Sequence, residues 1–367
     1  MFSTESLDAT GQLVLLEVVR HGPLSRADLT RRLDLSAPTV TRACRGLLEG
    51  GLVQEGGPSA VVSPGRPSHP LSVRPSAACF LGVNLTSSAA HLALLDLGGG
   101  VLATQTRAEA SDSREGLQAA VTGWLRELAG SGHHPSGIGI SLATTVDEAG
   151  LASRSAFLRW DPADLGALVS SAVGLPCVVD NDVNALTVAE HWFGHGRGVR
   201  DFGVVTVGIG TGIGVVANDQ LVRGHRGTAG QLGDLSSHRG DAMSLLLESW
   251  PLARRAAKLT GRDVSPQTLV EVMDDPRLEG LWREMAVALG ELVGMFVLFL
   301  APERVLVSGE NARLVAPHLP DLWWGFETVT ARRGVGPDLE VRELDANQWA
   351  RGAAALAIRA VLLGSSD

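Results

Sequence analysis

The chain has 367 residues, of which 45% are hydrophobic and 19% charged, and its formal net charge at pH 7 is −9. This length and composition indicate a globular protein of two or three domains. The composition and patterning exclude a disulfide framework, a secretory signal peptide and an apolar stretch long enough to span a bilayer. We therefore expect a cytoplasmic protein with no membrane partner, in which Cys44, Cys79 and Cys177 are buried.

Charge is divided unevenly along the chain. Residues 1–75 contain eight arginines and seven acidic residues, a balance of +1, whereas the remainder contains 23 basic and 33 acidic residues, a balance of −10. Because nucleic acid is a polyanion, any contact with it is expected to come from the N-terminal segment.

Three helices are predicted within the first fifty residues. The first covers residues 11–21 and ends at Gly22-Pro23. The second begins with the capping-box pair Ser25 and Asp28, and the third runs from Ala37 to about Glu49. This order, helix, helix, turn and helix, is typical of a helix-turn-helix domain.

The third helix has an apolar and a polar face. Helical spacing places four residues on the apolar face, namely Val40, Cys44, Leu47 and Leu48. Arg42 and Arg45 lie opposite, flanked by Thr39 and Thr41, and Ser36 caps the N-terminus. Arginine can form two hydrogen bonds with guanine, and helix N-terminal residues can reach phosphate or base edges. These residues predict a helix that reads the DNA major groove, and a solvated helix face is the alternative.

A β-hairpin wing is predicted after the third helix. Strand Leu52–Glu55 is followed by a Gly/Pro/Ser-rich segment and a second strand near Leu71–Val73. Between them, Gly65-Arg66-Pro67 holds the backbone extended, so that Arg66 can enter a narrow A/T minor groove. A mobile loop that merely contains an arginine is the alternative.

The rest of the chain contains two copies of one strand order. The first copy has strands Cys79–Leu85, Ala89–Leu95 and one from Val101, with a polar turn at Thr86–Ser88. The second copy has strands Phe202–Val207, Ile213–Ala217 and Gln220–Val222, with a glycine turn at Gly208–Gly212. Such a duplication, with a ligand-binding turn in each copy, predicts two similar α/β lobes with a cleft between them, as in actin-like ATPases.

Four motifs carry a family resemblance. They are Asp180-Asn181-Asp182-Val183-Asn184-Ala185, the phosphate-type turn Gly208–Gly214, the run Gly227–Asp234 and the helical tail Gly352–Ala355. Together they resemble the ROK family of repressors and sugar kinases, and the winged helix in front makes the chain similar to the repressor branch. The resemblance covers nearly the whole chain and implies an α/β fold: a winged helix-turn-helix followed by a two-lobed actin-like (ribonuclease H-like) body.

The resemblance implies three domains. Residues 1–75 form the winged helix-turn-helix with its wing and linker. Residues 76–195 together with 350–367 form the first lobe, and residues 196–349 form the second lobe.

In this family the pair that matches Asn181 and Asp182 binds sugar hydroxyls, and Asp182 matches the general base of the kinases. A carboxylate within hydrogen-bond reach can accept the proton of an attacking hydroxyl. Without the family context, an Asx turn before a helix at Ala185–Trp192 is the alternative.

The first phosphate turn departs from the kinase pattern. Family kinases have Asp-x-Gly-Gly-Thr, where this chain has Asn84–Ser88 and so lacks both the carboxylate that supports magnesium and the two glycines. The strand Arg304–Ser308 ends at Gly309. The resemblance implies a nucleotide site at this turn, where the family usually has two glycines and this chain has one. We therefore expect no catalytic residue and no cofactor. In the second turn the phosphate-type residues Gly208, Gly210, Thr211 and Gly212 remain, although a hairpin alone can require them.

The sugar motif and the zinc loop also differ. The family's Glu-x-Gly-His appears as Gln231–Asp234, and both Gln231 and Asp234 can still bind hydroxyls. The cysteine-rich zinc loop is absent, and His238 alone cannot replace three thiolates, so we expect no metal. Glu248 matches a further sugar-contacting glutamate.

The sequence thus predicts a sequence-specific transcriptional regulator of carbohydrate metabolism or uptake, a repressor. Its expected partners are double-stranded DNA with a pseudo-palindromic operator, a small carbohydrate or related metabolite in the cleft, and further copies of itself in a homodimer or homotetramer. The alternatives are a sugar kinase with an accessory DNA-binding domain and a regulator that no longer senses a sugar.

Overall fold

A computed structural model of the protein describes residues 7–56, 69–155, 158, 160–231, 235–331, 336–344 and 346–363. The α-helices in these ranges are α1 (Ala9–His21), α2 (Arg26–Leu33), α3 (Ala37–Glu49), α4 (Arg114–Gly130), α5 (Leu165–Val173), α6 (Asp182–Phe193), α7 (Met243–Leu247), α8 (Ser249–Thr260), α9 (Glu279–Leu300), α10 (Ala312–Val315), α11 (Leu319–Thr330) and α12 (Ala346–Leu363). The strands are β1 (Val53–Glu55), β2 (Leu71–Val73), β3 (Cys79–Leu85), β4 (Ala90–Asp96), β5 (Val101–Arg107), β6 (Ile138–Leu142), β7 (Cys177–Asn181), β8 (Phe202–Val207), β9 (Thr211–Ala217), β10 (Gln220–Leu221), β11 (Arg304–Ser308) and β12 (Asp338–Val341).

The chain divides into two compact units. Unit 1 comprises Met1–Gly198 and Ala346–Asp367, and unit 2 comprises Val199–Asp345. Unit 2 is therefore an insertion in the sequence of unit 1, whose last helix, α12, comes from the end of the chain.

The N-terminal part of unit 1 is a small helical domain with a hairpin. Ser25 and Asp28 form the predicted capping box at the start of α2, and the predicted bounds of α3 are confirmed. Strands β1 and β2 pair antiparallel. The domain has its own core, formed by buried residues of all three helices and both strands, among them Val14, Leu15, Leu29, Val40, Cys44, Leu47, Val53 and Leu71.

The two five-stranded sheets have the same topology. In unit 1 the order is β5-β4-β3-β6-β7, and in unit 2 it is β10-β9-β8-β11-β12. In each sheet the first three strands are antiparallel neighbours, and the last three are parallel neighbours. The duplication predicted from the strand order is therefore confirmed.

Helix α12 lies directly on the sheet of unit 1. A β-carbon at Gly139 of β6 would lie 1.8 Å from the carbonyl oxygen of Ala353, and one at Gly82 of β3 would lie 2.0 Å from that of Ala350. These distances are far below van der Waals contact, so the strands need glycine where the helix crosses them. The alanine-rich tail seen in the sequence is thus a close-packed face of the first lobe.

The core of unit 2 is built around α9. This helix packs against α11 through glycines, since a β-carbon at Gly325 would lie 2.1 Å from the carbonyl oxygen of Val287. The buried residues of α9 include Leu281, Trp282, Met285, Leu289, Leu292 and Phe296. Its last turn is apolar but open to solvent, since Phe299 is 86% exposed. Apolar composition does not by itself decide which helix face is covered.

Three local predictions need correction. Strand β9 begins at Thr211, two residues earlier than predicted, so the glycine turn is shorter and Thr211 and Gly212 pair with β8. Helix α6 begins at Asp182 and not at Ala185. Cys44 and Cys79 are buried, but Cys177 is only partly buried because it opens an edge strand of its sheet.

No helix of the described residues is both long and apolar enough to cross a membrane.

Candidate functional site

Helix α3 presents a polar, solvent-exposed surface. The Ser36 hydroxyl accepts a hydrogen bond from the Thr39 backbone N–H at 3.3 Å and shares another with the Thr39 hydroxyl at 2.8 Å. Thr41, Arg42 and Arg45 are exposed, while the opposite face of the helix is buried in the domain core. The amphipathic face predicted from the sequence is therefore present, with its polar residues at the surface.

The arginines of the helical domain differ in their partners. Those of α2 form ion pairs with carboxylates: Arg26 with Glu55 at 2.7 Å, Arg32 with Glu17 at 2.7 Å, and Arg31 with Asp28. Arg42 and Arg45 of α3 form no ion pair or side-chain hydrogen bond with any part of the chain that the structure describes. Their guanidinium groups thus keep all their donors for an external anion or base. Arg66, the predicted minor-groove residue, lies outside the described residues.

The residues at the carboxyl ends of β6 and β7 meet at one edge of the unit 1 sheet. The Asn181 Oδ1 accepts hydrogen bonds from the backbone N–H groups of Val183 at 2.9 Å and Asn184 at 3.2 Å, and its Nδ2 donates to the Thr144 carbonyl at 3.1 Å. Asn181 is therefore the N-cap of α6, which explains why the helix begins at Asp182. Asp182 is partly exposed in the first helical turn, where the helix dipole favours an anion.

The first phosphate-type turn is closed by its own side chains. Asn84 is 3% exposed and donates from Nδ2 to the Ser141 hydroxyl at 3.1 Å. The Thr86 hydroxyl accepts hydrogen bonds from the backbone N–H groups of Ser88 at 3.4 Å and Ala89 at 3.2 Å. These N–H groups are the kind that cradle a phosphate, and here they already have an acceptor.

The second turn links β8 to β9 in unit 2. It consists of Gly208, Ile209 and Gly210, after which Thr211 pairs with Val207. Gln231 forms an isolated antiparallel bridge with Gly212, so it lies beside the first residues of β9. Gln231 is exposed.

Two glutamates flank this turn. Glu248 lies between α7 and α8, close enough to the Thr211 backbone N–H for this group to lower the pKa of its carboxyl. Glu310 follows β11, and a β-carbon placed on Gly208 would lie 1.8 Å from Glu310 Oε2. Burial raises the pKa of both carboxyls above the usual range.

Glu310 was not among the residues predicted from the sequence. The signal available was a polar residue directly after Gly309, at the end of the predicted strand Arg304–Ser308. The structure shows this strand to be parallel to its neighbours, and ligand-contacting residues collect at such strand ends. Thr144, whose carbonyl orients Asn181, was also missed, and backbone acceptors of this kind leave no pattern in the side chains.

The predicted effector residues fall into two groups. Asn181 and Asp182 lie together in unit 1. Gln231 and Glu248 lie beside the same glycine turn in unit 2, and Asp234 lies outside the described residues.

A cavity of about 300 Å³ lies elsewhere in unit 2, between the segment Ser237–Asp241 and α9. Glu291, which is 1% exposed, forms part of its wall. It accepts hydrogen bonds from the His238 backbone N–H at 2.9 Å and from His238 Nδ1. His238 therefore anchors the segment to α9. Among the described residues, no group of three or more His, Cys, Asp or Glu could hold a metal ion.

Two segments of the chain match known families. Residues 80–245 match the ROK family, and residues 13–60 match the MarR family. A xylose repressor of Caldicellulosiruptor bescii is 27% identical over 227 residues, which cover 60% of this chain and 57% of that protein. The DNA-binding transcriptional dual regulator NagC of Escherichia coli K12 is 23% identical over 372 residues, covering 94% of this chain and 91% of that protein.

The fold is shared with solved ROK structures. A ROK family transcriptional regulator, homologous to the E. coli MLC protein, superposes with a TM-score of 0.77 at 22% identity, covering 97% of this chain and 98% of its own. A ROK glucokinase from Streptomyces griseus, solved with glucose and AMPPNP, has a TM-score of 0.65 at 23% identity, covering 77% of this chain and all of its own. Because one is a regulator and the other a kinase, the fold alone does not decide between these activities.

Proposed function

We propose, from the premise that this chain is a ROK-family protein with a MarR-type helix-turn-helix segment ahead of its ROK domain, that it is a sequence-specific transcriptional repressor of carbohydrate uptake or metabolism. It binds a pseudo-palindromic operator as a symmetric dimer or tetramer in the cytoplasm. A small carbohydrate or related metabolite acts as its effector. Residues 1–75 read the DNA, and the two lobes at 76–195 with 350–367 and at 196–349 carry the sensor.

The observation that carries this proposal is the pair of arginines without partners on α3. Arg42 and Arg45 lie on the exposed face of the amphipathic helix α3. The three arginines of the neighbouring helix α2, in contrast, form ion pairs with carboxylates. An exposed, uncompensated cation pair on the second helix of a helix-turn-helix suits base edges and phosphates in the major groove. Ser36, Thr39 and Thr41 flank this pair and supply hydroxyls for phosphate contacts.

The proposal of a sugar effector has two supports. One is the set of polar side chains in each unit: Asn181 and Asp182 lie where β7 meets α6 in unit 1, and Gln231 and Glu248 lie beside the glycine turn in unit 2. The other is the pair of relatives described as a xylose repressor and as the regulator NagC. Amide and carboxylate groups of this kind pair with sugar hydroxyls as acceptors and donors.

We further propose that the protein is not a kinase, although Asp182 matches the general base of the kinase relatives. Asn84 is buried against Ser141 and supplies no carboxylate for magnesium. The N–H groups of the turn after β3 are bonded to the Thr86 hydroxyl and do not point to a ligand. ATP-dependent phosphorylation of a hexose that is lost in Asp182→Asn would contradict this part of the proposal.

DNA binding is tested with arginine variants on operator fragments selected from genomic DNA. Arg42→Ala and Arg45→Ala are each expected to weaken specific binding by about 1–3 kcal/mol, roughly 5- to 150-fold, because each removes base or phosphate contacts. Arg66→Ala tests the predicted contact of the wing with the minor groove. Arg31→Ala is the matched control, since Arg31 is an exposed arginine that is paired with Asp28.

The outcomes are distinct. Loss of binding in the α3 variants with the control unchanged supports the assignment, whereas equal binding by all variants contradicts it. Calorimetry with D-xylose, N-acetylglucosamine and glucose tests the effector, and a ligand whose binding is lost in Asp182→Asn supports the effector site.

A further inference from the structure

The glycine turn of unit 2 is covered by a carboxylate of the same chain. The position of a β-carbon on Gly208 would be 1.8 Å from Glu310 Oε2 and 3.0 Å from Glu310 Cδ. The carboxylate therefore lies against the α-carbon of Gly208, in space that only glycine leaves open. In a turn of this kind, that space is where an oxyanion can approach the backbone closely.

The backbone around Glu310 is fixed by contacts on both sides. Gly309 has φ +106°, a conformation that favours glycine, and its own β-carbon position would be 2.4 Å from the Val207 carbonyl oxygen. The Asn311 backbone N–H donates to the same carbonyl at 3.0 Å. Asn311 Nδ2 donates to the Ser249 hydroxyl at 3.0 Å. The segment 309–311 is thus folded onto the end of β8, and Glu310 stays at the turn.

A second carboxylate lies at the other end of the turn. The Glu248 carboxyl lies near the Thr211 N–H, and the adjacent Ser249 N–H donates to the Gly208 carbonyl at 2.8 Å. The break between α7 and α8 is therefore attached to the first residue of the turn. Desolvation raises the pKa of both carboxyls, although Glu248 is only half-buried and Glu310 is exposed as a whole residue.

Two negative charges at a turn oppose the binding of a third. Glu310 occupies the space beside Gly208, and the Glu248 carboxyl lies near the N–H of Thr211, so a phosphate that approached this backbone would be repelled by two carboxylates. Like charges brought together in this way repel one another, which disfavours an anion beside the turn.

We propose that Glu310, assisted by Glu248, closes the glycine turn to phosphate groups and so determines that this protein does not take up a nucleoside triphosphate. Glu310 is a specificity-determining residue that acts by exclusion. This inference goes beyond the proposed function, because a DNA-binding regulator could equally retain a nucleotide.

The experiment compares wild type with Glu310→Gln, Glu310→Ala and the double variant Glu248→Gln/Glu310→Gln. Binding of ATP with Mg²⁺, and of pyrophosphate as a probe without the nucleoside, is measured by calorimetry on the full-length protein at pH 7.5. We expect no binding to wild type at millimolar ligand. Glu310→Ala, which removes both the charge and the bulk, is expected to bind at least about tenfold more tightly than wild type, and the double variant no less tightly.

The two single variants separate charge from space. Glu310→Gln keeps the volume of the side chain, so a gain in this variant assigns the exclusion to charge, and a gain in Glu310→Ala alone assigns it to space. Glu279→Gln is the control, because it removes an exposed carboxylate that pairs with Arg283 on α9. Thermal unfolding of each variant verifies that it is folded.

Unchanged weak binding in every folded variant would overturn the proposal, as would tight binding of ATP to wild type. Operator binding, measured on the same preparations, keeps this result separate from the proposed function. Failure of the nucleotide test with intact operator binding contradicts only the exclusion by Glu310, and loss of operator binding in wild type contradicts only the regulator assignment.

Discussion

At the scale of single residues, carboxyl groups of this chain respond to pH in opposite directions. Burial raises the pKa of Glu310 above its ordinary value of 4.5. The hydroxyl of Ser25, which donates to Asp28, lowers the pKa of Asp28 below 3.8. A carboxyl whose pKa is raised in the folded protein stabilises the fold at pH values below its unfolded pKa. This stabilisation is lost as the pH rises through the pKa of the folded state. A carboxyl whose pKa is lowered in the folded protein stabilises the fold at pH values above its unfolded pKa. This stabilisation is lost as the pH falls through the pKa of the folded state.

These signs give a prediction for urea unfolding between pH 3 and pH 7. Replacing Glu310 by Gln removes a carboxylate whose charged form is disfavoured, so the free energy of unfolding of the variant relative to wild type should increase as pH rises from 4 to 7. Asp28→Asn should show the reverse, with its largest loss of stability at pH 7. Parallel curves for the two variants would contradict the environments described for these groups.

Glu310 also shows what residue types could not reveal. The sequence predicted Gly208 as part of a phosphate-type turn, and the glycine is indeed in a turn between two strands. That the same glycine faces a carboxylate 102 positions later in the chain depends on how segment 309–311 folds back onto β8. Only tertiary packing brings these two loops together, and neither loop has a local pattern that specifies the other.

At the scale of helices and strands, periodicity and capping residues predicted most of the fold. The bounds of α3 and the strand order of both lobes followed from apolar spacing and turn residues. The start of α6 did not, because an asparagine at the end of a strand suits both a polar ligand and a helix N-cap, and here it caps the helix. The start of β9 did not either, since a glycine-rich run fits a turn and a strand equally well, and pairing with β8 decides the outcome.

The contact between α12 and the sheet of unit 1 gives a prediction at this scale. Gly139→Ala places a β-carbon 1.8 Å from the Ala353 carbonyl, so helix and strand must separate. We expect a loss of about 1–3 kcal/mol in the free energy of unfolding, as for overpacked cores. Gly123→Ala on α4 is the control, because a β-carbon there meets no atom within 4 Å and alanine favours a helix. Equal stability of both variants would contradict the close packing.

At the scale of the whole molecule, the N-terminal helix-turn-helix domain packs against the rest of unit 1. The end of α1 lies against the end of α6: the Arg20 guanidinium is 5.0 Å from the centroid of the Trp192 ring, and Arg197 donates to the Gly22 carbonyl. Helix α6 has twelve residues and is about 18 Å long. One rigid element thus extends from the capped end at Asn181 to the base of the helix-turn-helix.

This joint gives a prediction about local stability. Arg20→Met keeps an apolar stem on Trp192 but removes the cation, so about 1–2 kcal/mol of contact energy should be lost at the end of α1. Hydrogen exchange in peptides that cover α1 is expected to become roughly tenfold faster. Arg254→Met, at an exposed arginine of α8, is the control. Unchanged exchange in α1 would show that the joint does not stabilise the domain.

The position of α12 has a consequence for biosynthesis. The helix packs on Gly82 and Gly139 and also contacts α1, yet it follows the whole of unit 2 in the sequence. During synthesis, the sheet of unit 1 and the N-terminal helices therefore lack this support while unit 2 is being made. Unit 1 can be completed only after all of unit 2 has emerged, so we expect truncation of the chain before Ala346 to destabilise the sheet of unit 1 and to remove a packing partner of α1.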